Sequence, residues 1–155
     1  MTKTANMASS EDEFRNRIVL PSLRPFGIVR YVENSINDSM PDLVYCLRRT
    51  AEDGPGRSGW IELKHAHRWP ARAETPLKFK HYTVGQADCI YEWGSMCRGR
   101  ACVLAQVGSD FLLVPWDEAK RLQVIGATRD QFFGMAAVRG TGTFPTGRIL
   151  HWLTR

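Results

Sequence analysis

The sequence predicts an α/β (or α+β) fold, a central mixed β-sheet flanked by helices, and three observations predict it. Short runs rich in apolar residues, of strand length and bounded by turn residues, recur at residues 28–33, 43–48, 59–66, 101–107 and 111–115. Stretches with helical apolar spacing lie beside them, at residues 11–20 and 82–96. A chain of 155 residues with 43% hydrophobic content can bury one core without disulfide or metal staples. Residues 10–155 are therefore expected to form a single domain behind a polar, disordered tail at residues 1–9.

Each element has a local cause. Ser9 or Ser10 suits the N-cap of the first helix, and Pro21 with Pro25 is expected to stop it at Leu20. Gly54-Pro55-Gly56 reads as the turn that lets the strand at 43–48 pair antiparallel with the strand at 59–66. In the helix at 82–96, Val84, Ala87, Cys89, Ile90 and Trp93 are expected to cover the sheet, and Gly99 to end it. Gly108-Ser109-Asp110 joins the next two strands as a hairpin. A short helix follows at residues 117–122, Thr128 and Gln131 make a capping box that opens a helix through Val138 closed by Gly140, and residues 149–153 form a last short helix. No repeat and no long linker divides the chain.

Two segments carry chemistry, Met40-Pro41-Asp42 and Trp60-Ile61-Glu62-Leu63-Lys64. The alternation in the second puts Glu62 and Lys64 on one face of a strand and Ile61 and Leu63 on the other, and antiparallel pairing brings Asp42 alongside Glu62. Mg²⁺, with Mn²⁺ as substitute, takes oxygen ligands and is usually held by one or two carboxylates plus waters and substrate phosphate. The Lys64 ammonium suits orienting or helping to deprotonate a metal-bound water, or offsetting charge on a phosphorane-like transition state. The plainer reading is the wet side of a hairpin, with Glu62 and Lys64 a solvated pair and Pro41-Asp42 a turn.

Taken in order, an acidic residue within Glu11-Asp12-Glu13-Phe14, the strand at 28–32, Ser39-Met40-Pro41-Asp42-Leu43, Ile61-Glu62-Leu63-Lys64, a helix carrying Gln86 and the strand at 101–107 resemble the PD-(D/E)XK nuclease superfamily. Small phage and archaeal Holliday-junction resolvases and VRR-NUC type endonucleases are the most similar members. The resemblance spans residues 10–115 and leaves 116–155 as a helical appendage, the match fading after Arg121. It implies a restriction-endonuclease-like core and a Mg²⁺-dependent endodeoxyribonuclease acting on branched DNA. By position, Asp42, Glu62, the main-chain carbonyl of Leu63 and Glu11 would hold the metal, Lys64 would act on the attacking water, and Gln86 would point at the metal site. A homing or restriction-like nuclease on the same core is the alternative enzyme. A nucleic-acid-binding protein with an inactive core is the alternative of another class, and the complete Asp-Glu-Lys set speaks against it.

Helix geometry favours Glu11 over Glu13, because Phe14 and Ile18 stand three and seven residues after Glu11 and mark the buried stripe. Both acids would also suit the helix macrodipole, and Glu33 is a further candidate. The interval between Asp42 and Glu62, with Arg48, Arg49, Glu52, Asp53 and Arg57, is longer and more polar than in the smallest relatives. It reads as a DNA-contacting loop or a plain insertion.

Charge points the same way. The chain has 21 Lys and Arg against 16 Asp and Glu, a net +5 and a pI near 9.3. Directly after the charged strand come His65, His67, Arg68, Arg72, Lys78, Lys80 and His81 against the single acid Glu74, as a phosphate-tracking surface would have them. His65 and His67 are expected to contact phosphate; with no third His or Cys nearby they do not suit zinc. Cys46, Cys89, Cys97 and Cys102 lack CxxC spacing and are expected to be buried thiols in a reducing, cytoplasmic compartment of a bacterial or phage-encoded protein. No apolar run is long enough to span a membrane. Phe132, Phe133, Met135, Phe144, Ile149, Trp152 and Leu153 form a large apolar group beyond the matched core. They suggest a homodimer with paired sites, the alternative being that they pack back on the sheet.

Overall fold

The computed structural model describes residues 8–33, 39–97 and 100–155. Most of the expected tail and Gly99 lie outside these residues. Six strands form one mixed sheet in the order β1-β2-β3-β4-β5-β6: β1 Gly27–Tyr31, β2 Leu43–Leu47, β3 Arg57–Ala66, β4 Ala101–Val107, β5 Asp110–Pro115 and β6 Val138–Thr141. All neighbours are antiparallel except β3 and β4. That parallel pair requires a crossover, and the helix Val84–Met96 supplies it.

Side chains leave the sheet on two faces. On one, Leu43, Tyr45, Leu47, Ile61, Leu63 and Leu104 pack against Phe14 and Ile18 of the N-terminal helical segment and against the C-terminal helix Thr146–Thr154. On the other, Val103, Ala105, Val107, Leu112 and Val114 meet Ala87 and Ile90 of the crossover helix, together with Leu122 and Phe132. Strands β4 and β5 are covered on both sides, which is why they read as nearly unbroken apolar runs and not as alternating ones.

The N-terminal helix departs from expectation at its end. It begins as α1 Glu11–Glu13 behind Ser10, whose side chain accepts from the Glu13 N–H. A π turn over Phe14–Val19 follows, then α2 Leu20–Leu23 and a 3-10 turn Arg24–Phe26. Pro21 therefore does not stop the helix. The wide turn, in which the Leu20 N–H reaches back to the Arg15 carbonyl, makes room for the proline ring. Ahead of it, Ala8 is buried and the Ser9 N–H and hydroxyl both donate to Glu13 Oε2, so these two residues do not belong to a loose tail.

The C-terminal third differs more. The Thr128 and Gln131 capping box opens a helix as expected, but this is the short Arg129–Met135, and Val138–Thr141 is strand β6, not a continuation of the helix. Strand β5 needs a partner for its outer edge, and the Ala137 N–H already donates to the Leu113 carbonyl at the start of that pairing. This strand and the C-terminal helix absorb the apolar group: Phe132, Phe144, Ile149, Trp152 and Leu153 are buried, and Phe133 and Met135 pack partly buried against the core. The surface expected for dimerisation is core. Of the four cysteines only Cys102 is fully buried, the others being half-exposed. No helix among the described residues is long and apolar enough to cross a membrane.

Between β3 and the crossover helix the basic stretch is an irregular loop held at several points. Leu77 bridges Ala127, Phe79 and Tyr82 are buried, and the Trp69 indole donates to Asp110 Oδ2 at 2.7 Å. Gly126 permits the bridge, because its positive φ and the Leu77 carbonyl, 2.3 Å from where a Cβ would stand, exclude a side chain there.

Candidate active site

The strand β3 delivers its charges to the face covered by the crossover helix. Alternation sends Ile61 and Leu63 to one core and Glu62 and Lys64 to the other face, as the sequence implies, yet both charged residues are buried, Glu62 completely. The register Leu43↔Ile61 ends the β2 ladder just before Glu62, and Asp42 takes over there: its Oδ2 accepts the Leu63 N–H at 2.8 Å. A residue's N–H and C=O leave a strand on the same side, so the Leu63 carbonyl also faces the Asp42 side.

Four of the expected site residues converge. Lys64 Nζ stands 2.6 Å from Glu62 Oε1 and 3.8 Å from Glu11 Oε2, donates to the His81 carbonyl at 3.3 Å, and lies 5.4 Å from the centre of the Tyr82 ring. Asp42 lies close enough to Glu62 for its charge to act on the Glu62 carboxyl. Among the three N-terminal candidates, Glu11 is the one beside Lys64. Glu13 instead binds Ser9 and Arg17 at the exposed helix start, where the Ser9 hydrogen bonds, with Arg17, hold its carboxyl down at about 2. Glu33 is exposed beyond the end of β1.

Other expected residues lie elsewhere or are otherwise engaged. Gln86 is buried, but its carboxamide oxygen accepts the Thr83 N–H at 3.1 Å and so closes the capping box of the crossover helix. The His65 ring contacts the Ala8 carbonyl at 2.8 Å and sits edge-on to His67. Arg68, Arg72, Lys78 and Lys80 are exposed along the loop. Two contributors escaped the sequence reading: the His81 carbonyl and the Tyr82 ring. A main-chain acceptor leaves no residue-type signal, and His81 counted there as one more cation.

The electrostatics are unbalanced. Burial pushes the Glu62 carboxyl well above its usual range, and the charges of Asp42 and Glu11 add to this against Lys64. Burial likewise raises Glu11 and Asp42, with Lys64 opposing in both and the Leu63 N–H also opposing in Asp42. Burial would pull Lys64 down, yet Glu62, Glu11 and Asp42 together outweigh it and its ammonium holds its proton more tightly than in water. When acids and lysine alike favour the protonated form, the site is short of positive charge.

Neither Glu62 oxygen accepts a hydrogen bond of ordinary geometry among the described residues, although Lys64 is at ion-pair distance. Among the described residues no group of three or more His, Cys, Asp or Glu is arranged to hold a metal ion. Magnesium needs no such group, since one or two carboxylates with water and phosphate suffice, and Asp42 with Glu62 is such a pair. The residues present fit a hard divalent cation. No protein-family model matches the chain, and no curated protein matches it.

Proposed function

We propose that this chain is a divalent-metal-dependent endonuclease that hydrolyses phosphodiester bonds in DNA, with branched strands as its substrate class. The observation that carries the reading is the cluster of buried Glu62 and Lys64 with partly buried Glu11 and Asp42, in which, among the described residues, the Glu62 carboxylate has Lys64 at ion-pair distance but no hydrogen bond of ordinary geometry, and the site is short of positive charge. Asp42, Glu62, the Leu63 carbonyl and Glu11, which lies 3.8 Å from Lys64, would hold Mg²⁺ or Mn²⁺. A metal bound there would activate water and offset charge on the phosphoryl oxygens.

Lys64 serves as a donor in this scheme and not as the base, because it holds its proton tightly. Its contacts with the His81 carbonyl and Glu62 fix the ammonium, and its third proton can orient the attacking water or meet a non-bridging oxygen. The exposed Arg68, Arg72, Lys78 and Lys80, on the loop that leaves β3 directly after the site, suit the phosphates of the flanking strand. Cutting two strands in concert asks for two such sites, so a pair of chains belongs to the proposal, through a surface other than the C-terminal apolar group. Four free thiols fit a reducing, cytoplasmic setting.

One observation favours a second reading, a nucleic-acid-binding protein without turnover: Lys64 already neutralises Glu62 at 2.6 Å, closing the position a cation would take. Nicking of supercoiled plasmid by the purified chain separates the two. The nuclease reading expects nicking with Mg²⁺ or Mn²⁺, none in excess EDTA, and binding without cutting in Ca²⁺. Robust cutting in EDTA, or plasmid binding with no cutting in either active metal, would reject it.

A further inference from the structure

The face of the sheet that carries Glu62 continues, two residues back along β3, to Trp60, and there it is open. Trp60 pairs with Val44 of β2, which pairs with Arg30 of β1. The crossover helix ends over it: Trp93 lies 5.7 Å from Trp60 between ring centres, tilted by 50°, and is 41% exposed, while Met96 one turn on is 83% exposed. These residues, with Val44 and Arg100, line a groove of about 500 Å³. Arg100 Nε is buried in the structure with no hydrogen-bond partner among the described residues. Glu92 lines a shallower depression that continues past Trp93.

We propose that this groove is a base-stacking subsite that takes an unpaired nucleobase of the substrate strand. The inference rests on the nuclease reading for its position along the strand, and on the groove alone for its binding. Two residues of β3 span about 7 Å, roughly twice the rise of about 3.4 Å between stacked nucleotides of one strand. A base on Trp93 would therefore sit one or two nucleotides from a phosphodiester held at Glu62. Every base has a π-face, so an exposed tryptophan in a groove that also holds Arg100 selects for strand and not for sequence. Arg100, which lines the groove, supplies a cation there that the phosphate of a bound nucleotide complements and an apolar protein surface does not. A base can enter only after leaving its duplex stack, so flaps, bulges and branch points, which hold unpaired nucleotides at no added cost, become the preferred substrates.

Fluorescence anisotropy in EDTA, where no metal-dependent cutting intervenes, tests this with two labelled probes: a short oligothymidylate and a blunt-ended linear duplex. Trp93→Ala should weaken oligothymidylate binding roughly 5- to 150-fold, the loss of one base stack, and leave duplex binding unchanged. Trp93→Phe, which keeps an aromatic face, should bind close to wild type. Met96→Glu, at an exposed position that cannot unfold the core, should also weaken the single strand selectively. Equal losses on both probes, or no loss on either, would overturn the subsite. So would a halving of particle mass by light scattering with no change in DNA binding, which would assign the groove to a second copy of the chain. Absence of Mg²⁺-dependent plasmid nicking rejects the nuclease reading separately and does not alter this result.

Discussion

Two buried carboxylates on neighbouring parts of the sheet, Asp110 and Glu62, differ in how completely the fold satisfies them. Asp110, at the start of β5, is 4% exposed, and its oxygens are fully engaged: Trp69 Nε1 and Thr141 Oγ1 each donate at 2.7 Å, and Arg129 approaches at 3.3 Å. It ties the basic loop, β6 and the helix Arg129–Met135 to one point. Glu62 is completely buried and, among the described residues, has Lys64 as its cation, Asp42 and Glu11 as competing acids and no well-formed hydrogen bond. Burial is nearly equal in the two, so burial does not mark function. A buried charge left under-satisfied, at a cost the fold must carry, does.

Activity should break the pair apart most. Asp42→Ala, Glu62→Gln and Lys64→Ala are each expected to lower the cleavage rate on the order of a thousandfold, the usual cost of removing one member of a concerted site. Asp110→Ala, assayed below its melting temperature, should stay within about tenfold of wild type, since it touches none of the four site residues. Single-turnover rates on one plasmid decide this, and an Asp42→Ala protein as active as that would remove the site assignment.

Stability should reverse the order. Asp110→Ala leaves the Trp69 N–H and the Thr141 hydroxyl without their acceptor and is expected to cost about 3 kcal/mol. In a chain of this size that is a fall of roughly 10 °C in melting temperature. Glu62→Gln removes an ionisable group that burial already disfavours, while Lys64 keeps Glu11 and Asp42 nearby, so it should melt at or above wild type in EDTA. Thermal unfolding of both variants checks the contrast, which fails if Glu62→Gln is the less stable.

The pH dependence sharpens it further. The Glu62 pKa is raised in the folded state, so the folded chain binds this proton more tightly than the unfolded one. Its contribution therefore favours folding below the raised value and declines as pH rises from the ordinary carboxylate range through that value. Melting curves of wild type and Glu62→Gln should accordingly converge toward acid pH and separate toward alkaline pH, with wild type falling behind. A separation that grows toward acid would contradict the direction of the shift.

The smallest effect concerns the loop that Asp110 anchors. Neutralising Arg68, Arg72, Lys78 and Lys80 together should reduce the slope of log affinity against log salt by about 0.9 for each duplex phosphate that these side chains neutralise in the wild type. An unchanged slope would place these side chains in free solvent.

What the sequence made legible follows the same division. Period-two alternation in Ile61-Glu62-Leu63-Lys64 assigned each residue to its face, and the turn near Gly54 set the antiparallel pairing that brings Asp42 to the strand end. The buried stripe through Phe14 and Ile18 likewise pointed Glu11 inward, and the structure places it beside Lys64. Signals that depend on distant partners were invisible. Val138–Thr141 is a strand because β5 has an edge to fill, and no local pattern in Val138-Arg139-Gly140-Thr141 announces it. Pro21 reads as a stop unless the preceding turn widens. The apolar residues from Phe132 to Leu153 looked surplus because strand β6 was not foreseen and nothing local in the expected last helix tells which surface it packs on.

The central claim, that the under-satisfied carboxylate and not the satisfied one receives a divalent cation, is tested most directly by titrating Mn²⁺ into wild type, Glu62→Gln and Asp110→Ala and counting bound ions by electron paramagnetic resonance. Stoichiometric binding to wild type and Asp110→Ala, abolished or greatly weakened in Glu62→Gln, is the predicted result. Equal binding by wild type and Glu62→Gln, or no binding by wild type, would contradict it.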